Sequence, residues 1–436
     1  MRVLSADWVV PVEGPPIRDG AVAIGDDGRI VSVGTVSELD ADEESAERFP
    51  DAVILPGFVN AHTHLEYAVY GGFGDGLAFS SWIALHVERK ARLGLDDMEA
   101  IARLGALECL RSGITYVGDC SFSGAAATAC AEVGLGATVY LEVFGADESA
   151  LRARFEPTRD RVAEAFSDDV KLGISPHAPY TCSLDLYRAC GELGLPVATH
   201  LAESEAETQF LRTGGGSWQE FAELLVPPLG TTGIRALAEA ELLGPHVLAA
   251  HCVQADPKEI ELLAAHDVAV AHCPRSNAYL GCGIAPLAAL REAGIRVGIA
   301  TDSPASTPSF DMFDEMRAAI TGARARERRP DALTAADALE LATLGGASAL
   351  GLSNEMGSIA AGKRADLTVL SLAESPFYPW EDPVTAVVLG GSPHRVLATL
   401  VSGETRYEKG GKTWPELIDA ARSARGRLLS RADPMS

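Results

Sequence analysis

Two histidines, His62 and His64, stand one residue apart at the end of an apolar stretch, in the segment VNAHTHLE. In a β-strand, residues i and i+2 lie on the same face of the sheet, so both imidazoles would face one point. Neutral imidazole nitrogens are common ligands of zinc and iron. The spacing therefore raises the hypothesis of a metal site, although the pair alone also fits two polar residues leaving a strand.

Other side chains that could act in catalysis or bind a metal follow the remaining strand-like segments in the middle of the chain. These residues are Asp119, Glu142, His177, His200 with Glu203, His251, His272 and Asp302. Nearly all of these segments begin with apolar residues, and most of them are separated by helical patterns such as DPKEIELLAAHD. Strands alternating with helices over roughly 300 residues are typical of a (β/α)8 TIM barrel, in which all eight carboxyl ends share one face.

The pattern thus predicts an α/β fold with one site built at the carboxyl ends of the barrel strands. A doubly wound open sheet is the alternative, but no phosphate-binding glycine motif follows the first strand. Both termini read as short strands and turns, which predicts one small composite β-sandwich with a C-terminal helix. The expected boundaries are residues 1–54 and 363–436 for the sandwich and 55–362 for the barrel.

Composition limits the classes of function. The formal net charge is −25, and a surface this acidic repels phosphate backbones, so we expect no nucleic-acid partner. No segment approaches 18 uninterrupted apolar residues and the N-terminus lacks a signal-peptide core, so we expect a cytoplasmic protein without a membrane partner. The eight cysteines include no CxxC motif, and we expect them to be buried, reduced thiols.

Four residues at three strand ends offer a ligand set for one cation: His62, His64, His200 and Asp302. Each has an ordinary alternative when taken alone; Asp302, for example, suits a helix N-cap before Pro304. Together they give the nitrogen and oxygen donors of a catalytic zinc or iron site that keeps one position open. We expect one divalent ion, Zn²⁺ first and Fe²⁺ as the alternative.

The chain resembles the amidohydrolase superfamily, and within it the branch that contains cytosine deaminase and chlorohydrolases. The segments that carry the resemblance, in order, are PGFVNAHTHLE, SPHAPYT, THLAES, AHCV, HCPRSN, TDSPAS and GSIAAGKRADLTVL. The resemblance implies that His62, His64, His200 and Asp302 bind the metal, that Glu203 shuttles protons and that His251 lies close to the reacting water. Relatives with two metals carry a modified lysine at the end of strand 4; here Lys171 stands too early, which implies a mononuclear site.

Further residues are candidates for catalysis and substrate binding. Asp302 could accept a second proton from water. Glu66, Phe79 and Trp82 fall in the loop after the first barrel strand, where an aromatic ring could stack on a heterocycle, and His177 enters from strand 4. The aromatic residues also suit packing under a long loop, and His177 suits a structural hydrogen bond. Arg275, Ser276 and Asn277 could either shape the pocket or cap the loop.

Enzymes of this branch catalyse the hydrolytic loss of ammonia or chloride from an electron-poor aromatic carbon. The segments VNAHTHLE, SPHAPYT, HLAES and FDEMR resemble aminofutalosine deaminases, which implies conversion of 6-amino-6-deoxyfutalosine to futalosine and ammonia in menaquinone biosynthesis. The alternatives are deamination of S-adenosylhomocysteine, methylthioadenosine or adenosine, then of guanine, then triazine hydrolysis. A non-catalytic scaffold is the alternative outside enzymes, and the resemblance is compatible with a homodimer.

Overall fold

The computed structural model describes residues 1–39, 46–219, 223, 225–376, 381–412 and 414–430. Its strands form two sheets. The strands are β1 (Arg2–Val9), β2 (Ile17–Ile24), β3 (Ile30–Thr35), β4 (Glu47–Pro56), β5 (Phe58–Thr63), β6 (Ile114–Ser121), β7 (Gly136–Val143), β8 (Val170–Pro176), β9 (Val197–Leu201), β10 (Val247–His251), β11 (Ala269–His272), β12 (Val297–Ile299), β13 (Leu367–Ser371), β14 (Val396–Val401) and β15 (Glu404–Glu408).

Strands β5 to β12 are all parallel and follow one another in chain order around a barrel. Nearly all of their residues are buried, because helices cover the outside and side chains fill the inside. The barrel closes where Thr63 pairs with Asp302, and the amide of Asn60 exchanges two hydrogen bonds with Thr301 across the same seam, of 2.7 and 3.0 Å. The predicted TIM barrel is confirmed.

Helices connect the barrel strands, and a last helix follows the final strand of the terminal sheet. They are α1 (Phe79–Lys90), α2 (Leu95–Arg111), α3 (Ala125–Val133), α4 (Glu156–Arg161), α5 (Leu184–Gly191), α6 (Glu205–Thr213), α7 (Gly233–Glu239), α8 (Pro257–Ala265), α9 (Pro274–Tyr279), α10 (Leu287–Glu292), α11 (Met312–Glu327), α12 (Ala335–Leu341), α13 (Leu344–Ala349), α14 (Pro383–Gly390) and α15 (Pro415–Leu429). Short helical turns lie at Leu65–Tyr67, Leu151–Phe155, Ala163–Ala165 and Pro393–Arg395.

Local sequence sets several of these helix starts. Helix α8 begins with a capping box, in which Asp256 and Glu259 each accept the other's backbone N–H, and with Pro257 at its first position. Ser204 caps α6 with its hydroxyl, which accepts the backbone N–H of Glu207. Among the described residues, every helix is too short or too polar to span a lipid bilayer.

The two termini build a second, mixed sheet in the order β15-β14-β13-β4-β1-β2-β3, as the strand and turn patterns predict. Leu4, Val22, Ile54, Leu367 and Leu400 belong to an apolar cluster of its own. Strand β4 ends at Pro56 and leads directly into β5, so the chain passes from this sheet to the barrel within one residue. The exact predicted boundaries stay a prediction.

Helices α1 and α15 lie beside the carboxyl end of β5. Ala421, Ala424 and Leu428 of α15 pack in one buried cluster with Tyr70 and Trp82, which come from the connection after β5. The C-terminal helix therefore buttresses the barrel rather than the terminal sheet. This contact fixes α1 over one side of the barrel mouth.

Candidate metal and active site

The four predicted metal ligands meet at the carboxyl ends of the barrel strands. His62 lies in β5, His64 directly follows it, His200 lies in β9 and Asp302 follows β12, and all four are buried. One ring nitrogen from each of the three histidines lies within 4.8 Å of the others. Oδ1 of Asp302 is 3.7 Å from Nε2 of His62 and 3.6 Å from Nε2 of His64.

Backbone carbonyls orient two of the imidazoles. Nδ1 of His64 lies 2.8 Å from the carbonyl oxygen of Cys120, and Nδ1 of His200 lies 2.9 Å from that of His177. Because a carbonyl can only accept, each Nδ1 carries the proton and each Nε2 presents a lone pair. The two Nε2 atoms face each other at 3.2 Å, and Nε2 of His62 is buried without a hydrogen-bond partner in the described part of the chain.

Two serine hydroxyls orient the carboxylate in the same way. Ser276 Oγ donates to Oδ2 of Asp302 over 2.6 Å, and Ser306 Oγ donates to the same oxygen over 3.0 Å. This leaves Oδ1 directed at the imidazoles. Lone pairs from three histidines and one carboxylate oxygen that converge without protons between them fit a divalent cation, and hydrogen bonds behind the ligands are typical of metal sites.

A second group of residues borders this cluster. Nitrogen or oxygen atoms of Glu203, His251 and Asp302 lie within 4.8 Å of one another, and Nε2 of His251 is 3.8 Å from Oε2 of Glu203. Nδ1 of His251 donates to Oδ1 of Asn277 over 2.9 Å, so its Nε2 carries the lone pair and has no partner among the described residues. The three predicted catalytic residues are thus adjacent to the predicted metal ligands.

Burial sets the protonation states of the site. It lowers the pKa of His64 to about 3 and that of His251 to about 4, so both imidazoles are neutral near pH 7. It raises the pKa of Glu203 well above its usual range, with the nearby carboxylate of Asp302 adding to the rise. Burial also opposes ionisation of Asp302, yet the neighbouring imidazoles of His62, His251 and His64 hold its pKa well below the usual range.

The backbone adopts the left-handed region at several of these strand ends. Ala202, His251, Cys252 and Asp302 have φ of 52°, 74°, 48° and 55°. Residues other than glycine adopt such angles at a cost, and they cluster at functional sites, where the surrounding structure holds them in place. Here the turns direct His251 and Asp302 from the barrel rim toward the same point.

A cavity of about 470 Å³ opens over the two groups. Three of the predicted substrate contacts, Phe79, Trp82 and His177, line it. Its wall also includes residues from helices and loops that the sequence patterns do not single out: Tyr67, Lys90, Phe144, Tyr180 and Trp218. An aromatic wall with a few convergent polar groups is typical of a small-molecule site.

Glu66, the fourth predicted substrate contact, lies elsewhere. Its carboxylate accepts a hydrogen bond from the Ser121 hydroxyl and hydrogen bonds of 3.0 and 3.1 Å from the backbone N–H of Ser123. It therefore secures the connection after β5 to the end of β6 and is not among the cavity residues. Asp119 has a similar part, since it accepts the N–H of Leu65 over 2.7 Å.

The residues whose sequence context allows more than one role have definite positions in the structure. Ser276 and Asn277 contact Asp302 and His251, whereas Arg275 lies behind them, 3.5 Å from the buried carboxylate of Glu315. Lys171 stands near the start of β8, half exposed and 3.5 Å from Glu355, far along its strand from the site. All eight cysteines are free and buried.

Comparison with known proteins agrees with this geometry. The sequence profile described as the amidohydrolase family matches residues 53–406. The chain belongs to the amidohydrolase family. The predicted family, fold and hydrolase class are therefore confirmed, and this amidohydrolase is a hydrolase that acts on C–N bonds.

Its relatives include several nucleoside deaminases. The amidohydrolase is 33% identical over 405 residues to the 5'-deoxyadenosine deaminase of Methanothermobacter thermautotrophicus, covering 90% of each chain. It is 34% identical over 431 residues to the 5-methylthioadenosine/S-adenosylhomocysteine deaminase of Nitratidesulfovibrio vulgaris, covering 95% of this chain and 94% of the relative. The crystal structure of an adenosine deaminase from Xanthomonas campestris with bound zinc superposes with a TM-score of 0.86 at 29% identity, covering 98% of each chain.

Proposed function

We propose that this amidohydrolase deaminates a 6-aminopurine nucleoside by metal-dependent hydrolysis. The observation that carries the proposal is the contact of two groups at the barrel mouth. Three imidazoles and Asp302 form a ligand set, and Glu203 and His251 border it on the side that opens into an aromatic cavity. The relatives described above, which deaminate adenosine-type nucleosides by name, support the purine as the ring that fills the cavity.

His62, His64, His200 and Asp302 would hold one divalent cation, and Zn²⁺ suits their neutral nitrogens and single carboxylate. When bound, such an ion lowers the pKa of water to roughly 7 and so supplies a nucleophile at neutral pH. We therefore propose Zn²⁺, rather than Fe²⁺, as the bound ion.

The chain's own residues then manage protons. Glu203 accepts a proton from the attacking water and delivers it to the ring nitrogen beside the carbon that bears the amino group. Its buried position and raised pKa suit a group that must hold a proton for part of the cycle. His251 stabilises charge at the developing tetrahedral carbon, and Asp302 takes the second proton of water, which leaves with the amino group as ammonia.

The group attached to the purine has two candidates. The relatives favour a 5'-deoxyadenosine, methylthioadenosine or S-adenosylhomocysteine type of nucleoside, which is the first candidate. The second is 6-amino-6-deoxyfutalosine, for which the sequence segments argue; the ammonium group of Lys90 in the cavity wall would suit the carboxylate of that compound.

A side-by-side assay tests the proposal. The purified metal-loaded protein is incubated with 5'-deoxyadenosine, methylthioadenosine, S-adenosylhomocysteine, adenosine and aminodeoxyfutalosine, and ammonia release is measured with the ultraviolet shift of the purine. We expect the highest kcat/KM for 5'-deoxyadenosine, methylthioadenosine or S-adenosylhomocysteine. Inertness toward all five would overturn the purine assignment, and the highest kcat/KM for aminodeoxyfutalosine would favour the second candidate.

A further inference from the structure

One buried carboxylate in the cavity has no task in the chemistry described above. Glu142 is the next-to-last residue of β7, is 4% exposed and lines the cavity. No hydrogen bond or ion pair within 4.0 Å reaches its carboxylate from the residues that the structure describes. A buried carboxylate without a partner is costly, so the position calls for a ligand that completes it.

Two cations, Lys90 and Arg154, act electrostatically on this carboxylate, and both contact the Phe122 ring. The ammonium of Lys90 lies 3.5 Å from the centre of the Phe122 ring, and the guanidinium carbon of Arg154 lies 3.9 Å from the same centre. Burial raises the pKa of Glu142 to about 7, while the charges of Lys90 and Arg154 oppose that rise.

A second metal ion explains Glu142 poorly. Oxygen and nitrogen atoms of Glu142, His177 and His200 do lie within 4.8 Å of one another. However, Nδ1 of His200 donates to a carbonyl and its Nε2 faces His64 at 3.2 Å, so His200 already serves the first cluster. Only Glu142 and His177 would remain, which is too few donors for a stable divalent site.

The position of Glu142 also limits which substrate group it can meet. A 6-aminopurine nucleoside has two kinds of hydrogen-bond donor, the 6-amino group and the sugar hydroxyls. In the proposed reaction the amino group must face Glu203, His251 and Asp302. Glu142 lies in a different group, beside His177 and on the His200 side of the metal ligands. The donors left for Glu142 are the hydroxyls, and carboxylates commonly accept hydrogen bonds from a ribose diol.

We infer that Glu142 is a substrate-contacting residue, which accepts hydrogen bonds from the sugar hydroxyls of the nucleoside and so selects ribosides over deoxyribosides. This inference rests on the proposed function. It adds a specificity determinant on the third barrel strand, β7.

The test varies the sugar and the carboxylate together. kcat/KM is measured for 5'-deoxyadenosine and for its analogue that lacks the 2'- and 3'-hydroxyls. We expect the wild type to prefer the diol by about 10- to 100-fold, since a hydrogen bond to a charged acceptor contributes on this scale. Glu142→Gln keeps the shape without the charge and should reduce the preference by about tenfold, and Glu142→Ala should abolish it.

Glu66→Gln is the matched control, because Glu66 is a buried carboxylate nearby that is bound to Ser121 and Ser123 outside the cavity. It should keep the wild-type preference. Equal use of both nucleosides by the wild type, or an equal loss of preference in the Glu66 and Glu142 variants, would overturn the inference while the proposed function stands.

Metal content provides an independent readout that does not need activity. Wild type and Glu142→Gln should each bind one equivalent of Zn²⁺, which also shows that the variant is folded. Two equivalents in the wild type and one in the variant would overturn the inference in favour of a second cation. A wild type inert toward all five nucleosides of the assay above would remove the proposed function, and this inference with it.

Discussion

The hydroxyl of Ser276 donates to Oδ2 of Asp302 over 2.6 Å, and this contact decides which carboxylate oxygen faces the three imidazoles. Ser276 is fully buried in α9, directly beyond the carboxyl end of β11. Asp302 adopts a left-handed backbone conformation beyond β12, and Ser306, four residues further along, donates to the same oxygen. Ser276 therefore orients the carboxylate of Asp302, the proposed metal ligand.

Ser276→Ala should weaken metal binding by about 10- to 100-fold, the usual effect of removing a hydrogen bond to a ligand from behind. The Zn²⁺ affinity is measured by competition with a chromophoric chelator. Ser306→Ala removes the longer bond to the same oxygen and should have a smaller effect. Ser423→Ala, on the exposed side of α15, is the control. Unchanged affinity in Ser276→Ala would contradict this account of Asp302.

Asn277→Ala should lower kcat/KM by about 10- to 100-fold with metal content unchanged. The substitution removes the acceptor of the His251 Nδ1 proton, so the imidazole can take the other tautomer or rotate away from Glu203. Asn277→Asp retains an acceptor and should keep more activity than the alanine variant. Equal activity of the two variants would show that Asn277 does not act through His251.

Glu203→Gln should keep its metal and lose about 10²- to 10⁴-fold in kcat, the typical contribution of a proton-transferring side chain. The amide keeps the shape of the carboxylate but cannot accept the proton of water. Metal analysis and steady-state kinetics on the same preparation separate the two effects. Unchanged kcat/KM would remove Glu203 from the proposed chemistry.

The proposed metal ligands are predictable because they share one position in the chain pattern, the carboxyl end of a strand. His62, His200 and Asp302 stand in or directly beyond barrel strands, and parallel strands bring such positions to one face whatever the intervening loops do. The rule also names Asp119 and His272, which the structure buries outside the cavity lining. The position of a residue in its strand thus predicts at which end of the barrel it lies, but not whether its side chain faces the cavity.

The cavity wall is less predictable, because it comes from connections rather than strands. Trp218 follows α6 and Lys90 ends α1, at places that no strand period fixes. Glu66 shows the same limit: proximity to His64 in sequence predicts a substrate contact, but the chain turns so that its carboxylate meets Ser121. Ser276 and Asn277, which contact Asp302 and His251, form a recognisable polar segment in the sequence. The sequence does not predict which residues their side chains contact.

Glu207 supports Glu203 through the backbone. Its two carboxylate oxygens accept the N–H of Ala202 over 3.0 Å and that of Glu203 over 2.8 Å, which stabilises the left-handed turn at Ala202. Burial raises the pKa of Glu207 from 4.5 to about 7, against the effect of these hydrogen bonds. In the unfolded chain the same carboxyl loses its proton near its ordinary pKa.

Between pH 4.5 and about 7, Glu207 consequently binds more proton in the folded state than in the unfolded state. The free energy of unfolding must fall as pH rises through this window and level off above it, and the Glu207 contribution lost between about pH 5.5 and 7 is about 2 kcal/mol. Glu207→Gln does not titrate, so its Tm relative to wild type should be higher at about pH 8 than at about pH 5.5. Calorimetry on both proteins measures the difference. Glu205, on the exposed side of α6, provides the control: Glu205→Gln should change Tm equally at the two pH values. If the Tm difference between Glu207→Gln and wild type did not depend on pH, Glu207 would be ionised in the folded protein at both pH values.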